Sequence, residues 1–207
     1  ENLDEAKFTL AVPRYAYDAG VKDFADLAKF EDKFRKRIYA IEAGAPANQL
    51  LQNMIDSGDF GLKKWRLVES GEQGVMSQVK RDMKRQQFIV FLGWEPHPMN
   101  ANFDMAYLTG GDKYFGANFG GATVHTLTRK GYQQECQNVG KLLNNLKFSL
   151  SMENQVMGYI MQDGQQPEEA ARKYLTQHPD VLKPWLQGVT TTNGGDALAA
   201  VRSHLNL

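Results

Sequence analysis

The sequence has few of the residues on which disulfides, metal sites and hydrolytic active sites depend. Its 207 residues include one cysteine, Cys136, and four histidines. A single cysteine excludes an internal disulfide and a cysteine-rich metal site. The histidines are scattered, without a His-x-x-x-His motif or paired carboxylates beside them, and there is no Gly-x-Ser-x-Gly elbow. We therefore predict that the chain holds no metal and needs no cofactor.

The sequence also lacks net charge and long apolar runs. Its 24 basic and 24 acidic side chains cancel, which argues against nucleic acid or an anionic membrane surface as the main partner, because both attract a basic excess. No run of about 20 apolar residues exists, so no segment is predicted to span a membrane. A small neutral or zwitterionic ligand suits this composition better. Because the chain begins at Glu1 without a methionine, we interpret it as a processed, trimmed or fragmentary product.

Short apolar runs alternate with helical patterns over residues 8–91, which predicts an α/β fold built on a mainly parallel sheet. Ser70 and Gln73 have the spacing of a capping box for the third helix of this region. The predicted strands are residues 8–12, 37–41, 65–68 and 88–92, and the predicted helices are residues 22–34, 46–56 and 75–83.

The pattern changes after residue 103. Short strands are predicted at residues 105–108 and 122–127, and everything beyond Gly131 has the pattern of successive helices. This tail has too little sheet to complete an α/β layer, so it is expected to pack on strands supplied from elsewhere. We predict one complete α/β lobe over residues 5–104 and the helix-rich C-terminal part of another lobe over residues 105–207.

Residues 88–103 contain the most informative local feature, a buried-strand pattern followed by a large aromatic side chain. Gly93 and the two prolines that follow are expected to end the strand and to hold Trp94 on a rigid loop. Ligands of open α/β sheets bind at the ends of strands, so Trp94 is a candidate ligand platform. The alternative is that Trp94 fills a core.

Residues 41–48 predict a strand-to-helix turn, with Gly44 at the bend and Pro46 at the first helical position. The free N–H groups and the dipole of such a helix start suit a carboxylate or another anion. The turn has neither of the glycine-rich phosphate-binding patterns, so nucleotide binding is not predicted. An ordinary α/β turn remains the other interpretation.

Two kinds of chemistry are conceivable near Trp94. Glu95 and His97 raise the question of acid–base catalysis, but little else in the sequence supports it, and a ligand contact or a hydrogen bond that fixes the loop is the favoured role of His97. The second kind is recognition of a quaternary ammonium ion, which has no N–H donors and is bound by surrounding aromatic faces. The aromatic residues predicted near strand ends are Phe8, Tyr15, Tyr17 and Trp94.

Several stretches resemble the substrate-binding proteins of choline and glycine betaine ABC importers, most closely those of the choline-binding branch. The resemblance implies a type II periplasmic binding protein, whose two lobes close by hinge motion on a quaternary ammonium ligand in an aromatic box. Trp94 matches the box tryptophan of the second lobe. The stretches that carry the resemblance are residues 6–11, 21–24, 90–103, 120–124, 138–143 and 184–186.

The sequence departs from the choline-binding pattern at two ligand positions. Phe8 stands where a tyrosine is expected, and Ala45 stands where an asparagine can bind the choline hydroxyl. Loss of a polar partner for a buried hydroxyl costs about 1 to 3 kcal/mol, so a ligand with a carboxylate, such as glycine betaine or carnitine, is favoured. The resemblance further implies that the N-terminal part of the first lobe is missing and that Cys136 matches the later cysteine of the choline-branch disulfide.

We therefore expect a periplasmic protein that captures choline, glycine betaine or carnitine and delivers it to an ABC permease, without being an enzyme. Two alternatives are a sensory or permease-fused ligand-binding domain of the same fold and, less favoured, a hydrolase that uses His97 and Glu95. The residues predicted to bind the ligand are Trp94, Phe8, Tyr15, Ala45 and His97.

Overall fold

The computed structural model describes residues 1–207, which divide into two compact units. Residues 6–95 and 99–122 form the first, here called the sheet unit. Residues 1–5, 96–98 and 123–207 form the second, here called the helical unit. No helix in either unit combines the length and the apolar character that crossing a bilayer requires.

The strands are β1 (Leu3–Pro13), β2 (Arg37–Ala40), β3 (Arg66–Glu69), β4 (Val90–Glu95), β5 (Met105–Tyr107) and β6 (Ala122–Val124). They form a mixed sheet in the order β3-β2-β4-β1-β5, and β6 pairs with β1 off this path. β2 is parallel to β3 and β4, whereas β1 is antiparallel to β4 and β5, so the prediction of a mainly parallel sheet holds for only one side.

Two hydrophobic clusters, one on each face, form the core of the sheet unit. Ile38 and Val90 belong to one cluster, while Tyr39 and Phe91 belong to the other. Successive residues of a strand point to opposite faces, so a strand covered on both sides is apolar at every position. This arrangement explains the continuous apolar run of β4.

β4 does not end at Gly93 as predicted but continues through Trp94 to Glu95. A Cβ atom at Gly93 would lie 3.0 Å from Cε1 of Tyr107 and 3.1 Å from Cβ of Ala11. Glycine is therefore required here by close packing rather than by a turn. Trp94 is consequently fixed by a strand ladder instead of a loop.

The three helices predicted in the sheet unit are present with two differences, and four further helices of four or five residues are not predicted by the sequence. Residues 22–34 contain a 3₁₀ helix, Phe24–Phe30, whose N-cap Asp23 accepts a hydrogen bond from the backbone N–H of Ala25. The third predicted helix begins at Glu72 after Gly71, without a side-chain cap, so the capping role of Ser70 is wrong. The α-helices are α1 (Arg14–Asp18), α2 (Pro46–Ser57), α3 (Glu72–Lys84), α4 (Met99–Asn102), α5 (Asp112–Phe115) and α6 (Ala117–Gly120).

The helical unit follows the predicted succession of helices beyond Gly131. In the helix of residues 150–161, Met152 is buried, whereas Met161 is 43% exposed. Cys136 is a free, half-buried thiol. The helices are α7 (Tyr132–Glu135), α8 (Gln137–Asn145), α9 (Leu150–Met161), α10 (Pro167–Gln177), α11 (Leu182–Trp185) and α12 (Ala197–Leu205).

The sheet unit extends beyond residue 104, where the sequence places a lobe boundary, and that boundary stays a prediction. Residues 105–122 belong to the sheet unit, because β5 pairs with β1 through Ala11 and Tyr107 and because Gly120 packs on the backbone of Phe8. Three-residue strands carry too little pattern to be assigned to a sheet from sequence. The correspondence of these units to the lobes of a two-lobed protein remains a prediction.

Candidate functional site

Phe8 and Trp94 are directly paired across the β1–β4 ladder. Directly opposite residues of antiparallel strands have Cβ atoms roughly 5 Å apart, so two aromatic side chains start from neighbouring points of the sheet. The ring of Phe8 makes an edge contact with Phe115 at 6.1 Å between centroids. Trp94 is half-buried and packs beside the cluster that contains Phe91. The structure thus brings together two of the predicted ligand residues.

The next pair of the same ladder is an ion pair. Lys7 Nζ lies 2.6 Å from Oε2 of Glu95, with side chains 35% and 16% exposed. The ammonium group also lies 5.7 Å from the ring centroid of Tyr107. Glu95 is therefore engaged by a cation of its own unit, which removes the support for its pairing with His97 in acid–base catalysis. The charges of Lys7 and Glu95 cancel at the ladder position next to the aromatic pair, and successive residues of a strand point to opposite faces.

Ala45 lies at the start of α2, as predicted. It is the N-cap of that helix and makes no side-chain cap, and Pro46 follows at the first helical position. Ala45 lines a polar pocket of about 340 Å³. On the β3 side of this pocket, Glu69 accepts a hydrogen bond from Nδ2 of the buried Asn48 at 2.8 Å. The helix start is therefore open but has one carboxylate beside it.

The turn that contains Ala45 and the aromatic pair share one end of the sheet. β2 and β4 are parallel and adjacent, with Tyr39 paired to Phe91. Their carboxyl ends therefore meet at the same edge. Ala45 follows β2 there, Trp94 lies near the end of β4, and Phe8 faces Trp94. This edge of the sheet unit, defined by Phe8, Ala45 and Trp94, is the candidate site.

Tyr15 is not part of this edge. It follows the last residue of β1, and its hydroxyl donates to the backbone carbonyl of Gln87, before β4 begins, at 2.5 Å. Because β1 and β4 are antiparallel, this position is at the opposite end of the ladder from Phe8. Burial, together with the nearby carboxylate of Asp82, raises the pKa of Tyr15 to about 12. The aromatic character of Tyr15 therefore serves packing, not the candidate site.

The raised pKa of Tyr15 predicts a specific loss of stability in alkaline solution. Folding favours the protonated hydroxyl, so its stabilising contribution is present below the ordinary pKa of 10 and is lost as the pH rises toward 12. The difference in unfolding free energy between the native chain and Tyr15→Phe should shrink over this range. Urea unfolding at pH 9 and pH 11.5 measures it, and a difference that stays constant contradicts the assignment.

His97 belongs to the helical unit rather than to the sheet unit. It is 3% exposed, and its backbone N–H donates to Oδ1 of Asn154 at 2.9 Å. Any residue other than proline could donate this backbone bond, so the predicted roles of the His97 side chain stay predictions. The structure does not group His97 with Phe8, Ala45 and Trp94 in one unit.

Sequence reasoning missed two polar residues next to Trp94. Asn100 Nδ2 donates to the Trp94 carbonyl at 2.8 Å, and the Tyr107 hydroxyl donates to Oδ1 of Asn100 at 2.7 Å. Asn100 lies within the run of residues 90–103, but nothing in its spacing indicates a partner. Tyr107 reaches this position only through the pairing of β5 with β1. No sequence signal could have joined the two.

Several known proteins are similar to this chain. The glycine betaine/carnitine transport binding protein GbuC of Listeria monocytogenes serotype 1/2a (strain 10403S) is 30% identical over 159 residues, which are 77% of this chain and 52% of GbuC. This chain therefore spans about half the length of that relative. The relatives are binding proteins of transport systems and not enzymes, as the sequence predicted.

Solved structures are similar over most of the chain. An ABC-transporter choline binding protein in complex with choline is 54% identical, with a TM-score of 0.86, and the match covers 99% of this chain and 71% of that one. Lactococcal OpuAC in a closed form with glycine betaine is 29% identical, with a TM-score of 0.74, over 89% of this chain and 68% of that one. These neighbours are type II periplasmic binding proteins, which confirms the predicted fold class.

Residues 1–177 match the family described as the substrate binding domain of ABC-type glycine betaine transport systems. The match covers most of the chain and includes every residue of the candidate edge. The fold and the relatives agree with it, and the chain belongs to this family of ABC transporter substrate-binding domains.

Proposed function

We propose that this chain binds a small quaternary ammonium compound, namely choline, glycine betaine or carnitine, against the aromatic faces of Phe8 and Trp94. The observation that carries the proposal is the direct pairing of these two residues at the edge of the sheet next to the start of α2. The bound compound is then delivered from the periplasm to the permease of an ABC importer. Because the chain spans only part of its relatives, we also propose, rather than observe, the delivery of the ligand to a permease and the periplasmic location of the protein.

The physical basis is the attraction between a cation without hydrogen-bond donors and the electron-rich faces of aromatic rings. Each ring contributes on the order of 0.5 to 2 kcal/mol, with tryptophan the strongest. A fixed positive charge beside the rings would repel such a ligand, but Lys7 is paired with Glu95 at 2.6 Å. The edge can therefore accept a cationic group without repulsion from the ammonium group of Lys7.

Three similar proteins support the choice of ligand class by what their names say they bind. They are a choline binding protein, a glycine betaine/carnitine binding protein and a glycine betaine complex of OpuAC. These ligands share a quaternary ammonium group and differ in the polar group at their other end.

The experiment that tests the proposal is titration calorimetry of the gene product that contains this chain with choline, glycine betaine and carnitine, with glycine as control. Saturable binding of at least one of the three, without binding of glycine, is expected, and no heat with all three overturns the proposal.

The polar end of the ligand is proposed to lie near Ala45. An alanine N-cap has no side chain with which to bind a hydroxyl. The first turn of α2 offers the backbone N–H of Ala47 and the positive end of the helix dipole, since Pro46 has no N–H and that of Asn48 donates to the Ala45 carbonyl. A carboxylate uses both better than a hydroxyl does. Glycine betaine and carnitine are therefore preferred over choline in this proposal, despite the nearby carboxylate of Glu69.

Ala45→Asn is expected to raise the affinity for choline relative to glycine betaine by about 10-fold, because the new amide supplies a partner for the choline hydroxyl. Asparagine is also a good N-cap, so stability should not fall. Competition titrations with both ligands measure the ratio. Ala43→Asn adds the same side chain at an exposed position two residues earlier and serves as the control. An unchanged ratio in Ala45→Asn contradicts the placement of the polar end.

A further inference from the structure

The backbone at Trp94 is held by a two-step hydrogen-bond chain from another part of the sheet unit. Asn100, in the short helix α4, donates from Nδ2 to the Trp94 carbonyl at 2.8 Å. Tyr107, at the end of β5, donates from its hydroxyl to Oδ1 of Asn100 at 2.7 Å. Both bonds are partly buried, where water competes less for the same groups.

The directions of these bonds fix one orientation of the Asn100 amide. A backbone carbonyl can only accept, so Asn100 must present its NH₂ group to Trp94 and its oxygen to Tyr107. The tyrosine hydroxyl must then donate. Burial and the nearby carboxylate of Glu95 raise the pKa of Tyr107 well above its usual range, so the hydroxyl keeps its proton. The hydrogen bonds therefore run consistently from Tyr107 to Trp94.

Tyr107 is itself held tightly against the residue that precedes Trp94. It is paired with Ala11 in the β1–β5 ladder. Its ring lies so close to Gly93 that a Cβ atom there would be 3.0 Å from Cε1. The ring thus packs on the backbone at Gly93 while the hydroxyl, through Asn100, fixes the carbonyl of Trp94. Tyr107 therefore restrains two adjacent residues of β4, namely Gly93 and Trp94.

We infer that Asn100 and Tyr107 are positioning residues that set the orientation of Trp94 for ligand binding. The inference rests on the proposed function, in which Trp94 is an aromatic surface that contacts the ligand. β4 is paired with β2 only at Val90 and Phe91, so Trp94 has a ladder partner on the β1 side alone, and Asn100 adds a restraint to it. A rigid aromatic surface binds with less loss of conformational entropy than a mobile one. Loss of the hydrogen-bond chain should therefore weaken binding without removing any group that touches the ligand.

The variants that test this inference change single atoms of the hydrogen-bond chain. Asn100→Asp keeps the shape of the side chain but replaces the NH₂ donor with a carboxylate oxygen, which repels the Trp94 carbonyl. Tyr107→Phe keeps the ring against Gly93 and removes only the hydroxyl. The matched control is Tyr159→Phe in the helical unit, because Tyr159 also donates to an amide oxygen, that of Gln177, at 2.7 Å.

The first readout needs no ligand. The chain has three tryptophans, so fluorine NMR of the 5-fluorotryptophan-labelled protein gives three resonances, and Trp94→Phe identifies that of Trp94. In Asn100→Asp and Tyr107→Phe we expect the Trp94 resonance to shift and broaden, while those of Trp65 and Trp185 stay in place. Tyr159→Phe should leave the Trp94 resonance unchanged. A Trp94 resonance identical to the native one in both variants overturns the inference.

The second readout is the binding of glycine betaine and choline to the same variants. Asn100→Asp is expected to weaken binding about 10-fold and Tyr107→Phe about 3-fold, with the loss mainly in the dissociation rate and with Tm lowered by a few degrees at most. Native affinity in both variants overturns the inference even if the resonance moves. If the native protein binds no quaternary ammonium compound, the proposed function fails, and the fluorine spectra still decide whether these residues position Trp94. If Asn100→Asp does not fold, Tyr107→Phe decides alone.

Discussion

Trp94→Ala is expected to lower the affinity for the quaternary ammonium ligand at least 100-fold. The substitution removes a cation–π contribution of up to about 2 kcal/mol and the apolar contact of a large ring, together about 3 kcal/mol, which corresponds to roughly 100-fold. Trp94 is half-buried at the end of its strand, so the loss should appear in binding more than in folding. Titration calorimetry against glycine betaine and choline measures it.

Two further variants separate the contributions of Trp94. Trp94→Phe keeps an aromatic face and should retain measurable binding, whereas Trp94→Leu keeps apolar contact without a π-system and should bind nearly as weakly as Trp94→Ala. Circular dichroism confirms that each variant is folded before its affinity is compared. If Trp94→Ala binds with native affinity, Trp94 is not a wall of the site. If Trp94→Leu binds as well as the native protein, recognition does not depend on cation–π attraction.

The second large effect is expected from Gly120→Ala, which should destabilise the fold by about 3 kcal/mol. Gly120 has a φ of +68°, and a Cβ atom there would collide with the backbone carbonyl oxygen of Phe8. Backbone atoms of a paired strand cannot move aside as a flexible side chain can. The variant should either unfold at lower denaturant concentration or displace Phe8, so urea unfolding and ligand affinity are both expected to change.

Gly164→Ala is the matched control for this substitution. Gly164 has a φ of +69°, nearly the same as that of Gly120, but an added Cβ atom would meet nothing within 4 Å. It should therefore show only the cost of an alanine at positive φ, about 1 kcal/mol. The difference between the two variants isolates the collision with Phe8. Equal destabilisation of both would contradict the close approach of Gly120 to that strand.

The strands and long helices of the sheet unit could be predicted because their patterns are local. β2, β4 and α2 lie where apolar periodicity and the Gly44–Pro46 turn indicate. Gly93 was misinterpreted because a glycine in a strand pattern looks the same whether it ends the strand or admits a neighbouring ring. Only the position of Tyr107, fixed by the pairing of β5, distinguishes the two cases.

The candidate site was predictable in part for the same reason. Trp94 and Ala45 follow strands, so their position at the edge of a sheet follows from the chain order. The pairing of Phe8 with Trp94 depends on the register of β1, which no sequence pattern specifies. The position of Tyr15 could not be predicted from its residue type, since an aromatic residue near a strand end can lie at either end of the sheet. Asn100 and Tyr107 depend on two long-range contacts and could not be predicted.

The Lys7–Glu95 ion pair has a consequence for the conditions under which the site can operate. Because the charge of Lys7 is compensated by Glu95, this pair itself adds little long-range field that dissolved ions could screen near the aromatic residues. Attraction to aromatic faces acts over a few ångströms, well inside the Debye length of about 8 Å at physiological ionic strength. Capture of a ligand at these rings should therefore depend little on ionic strength, so the same edge can function in dilute and in concentrated salt.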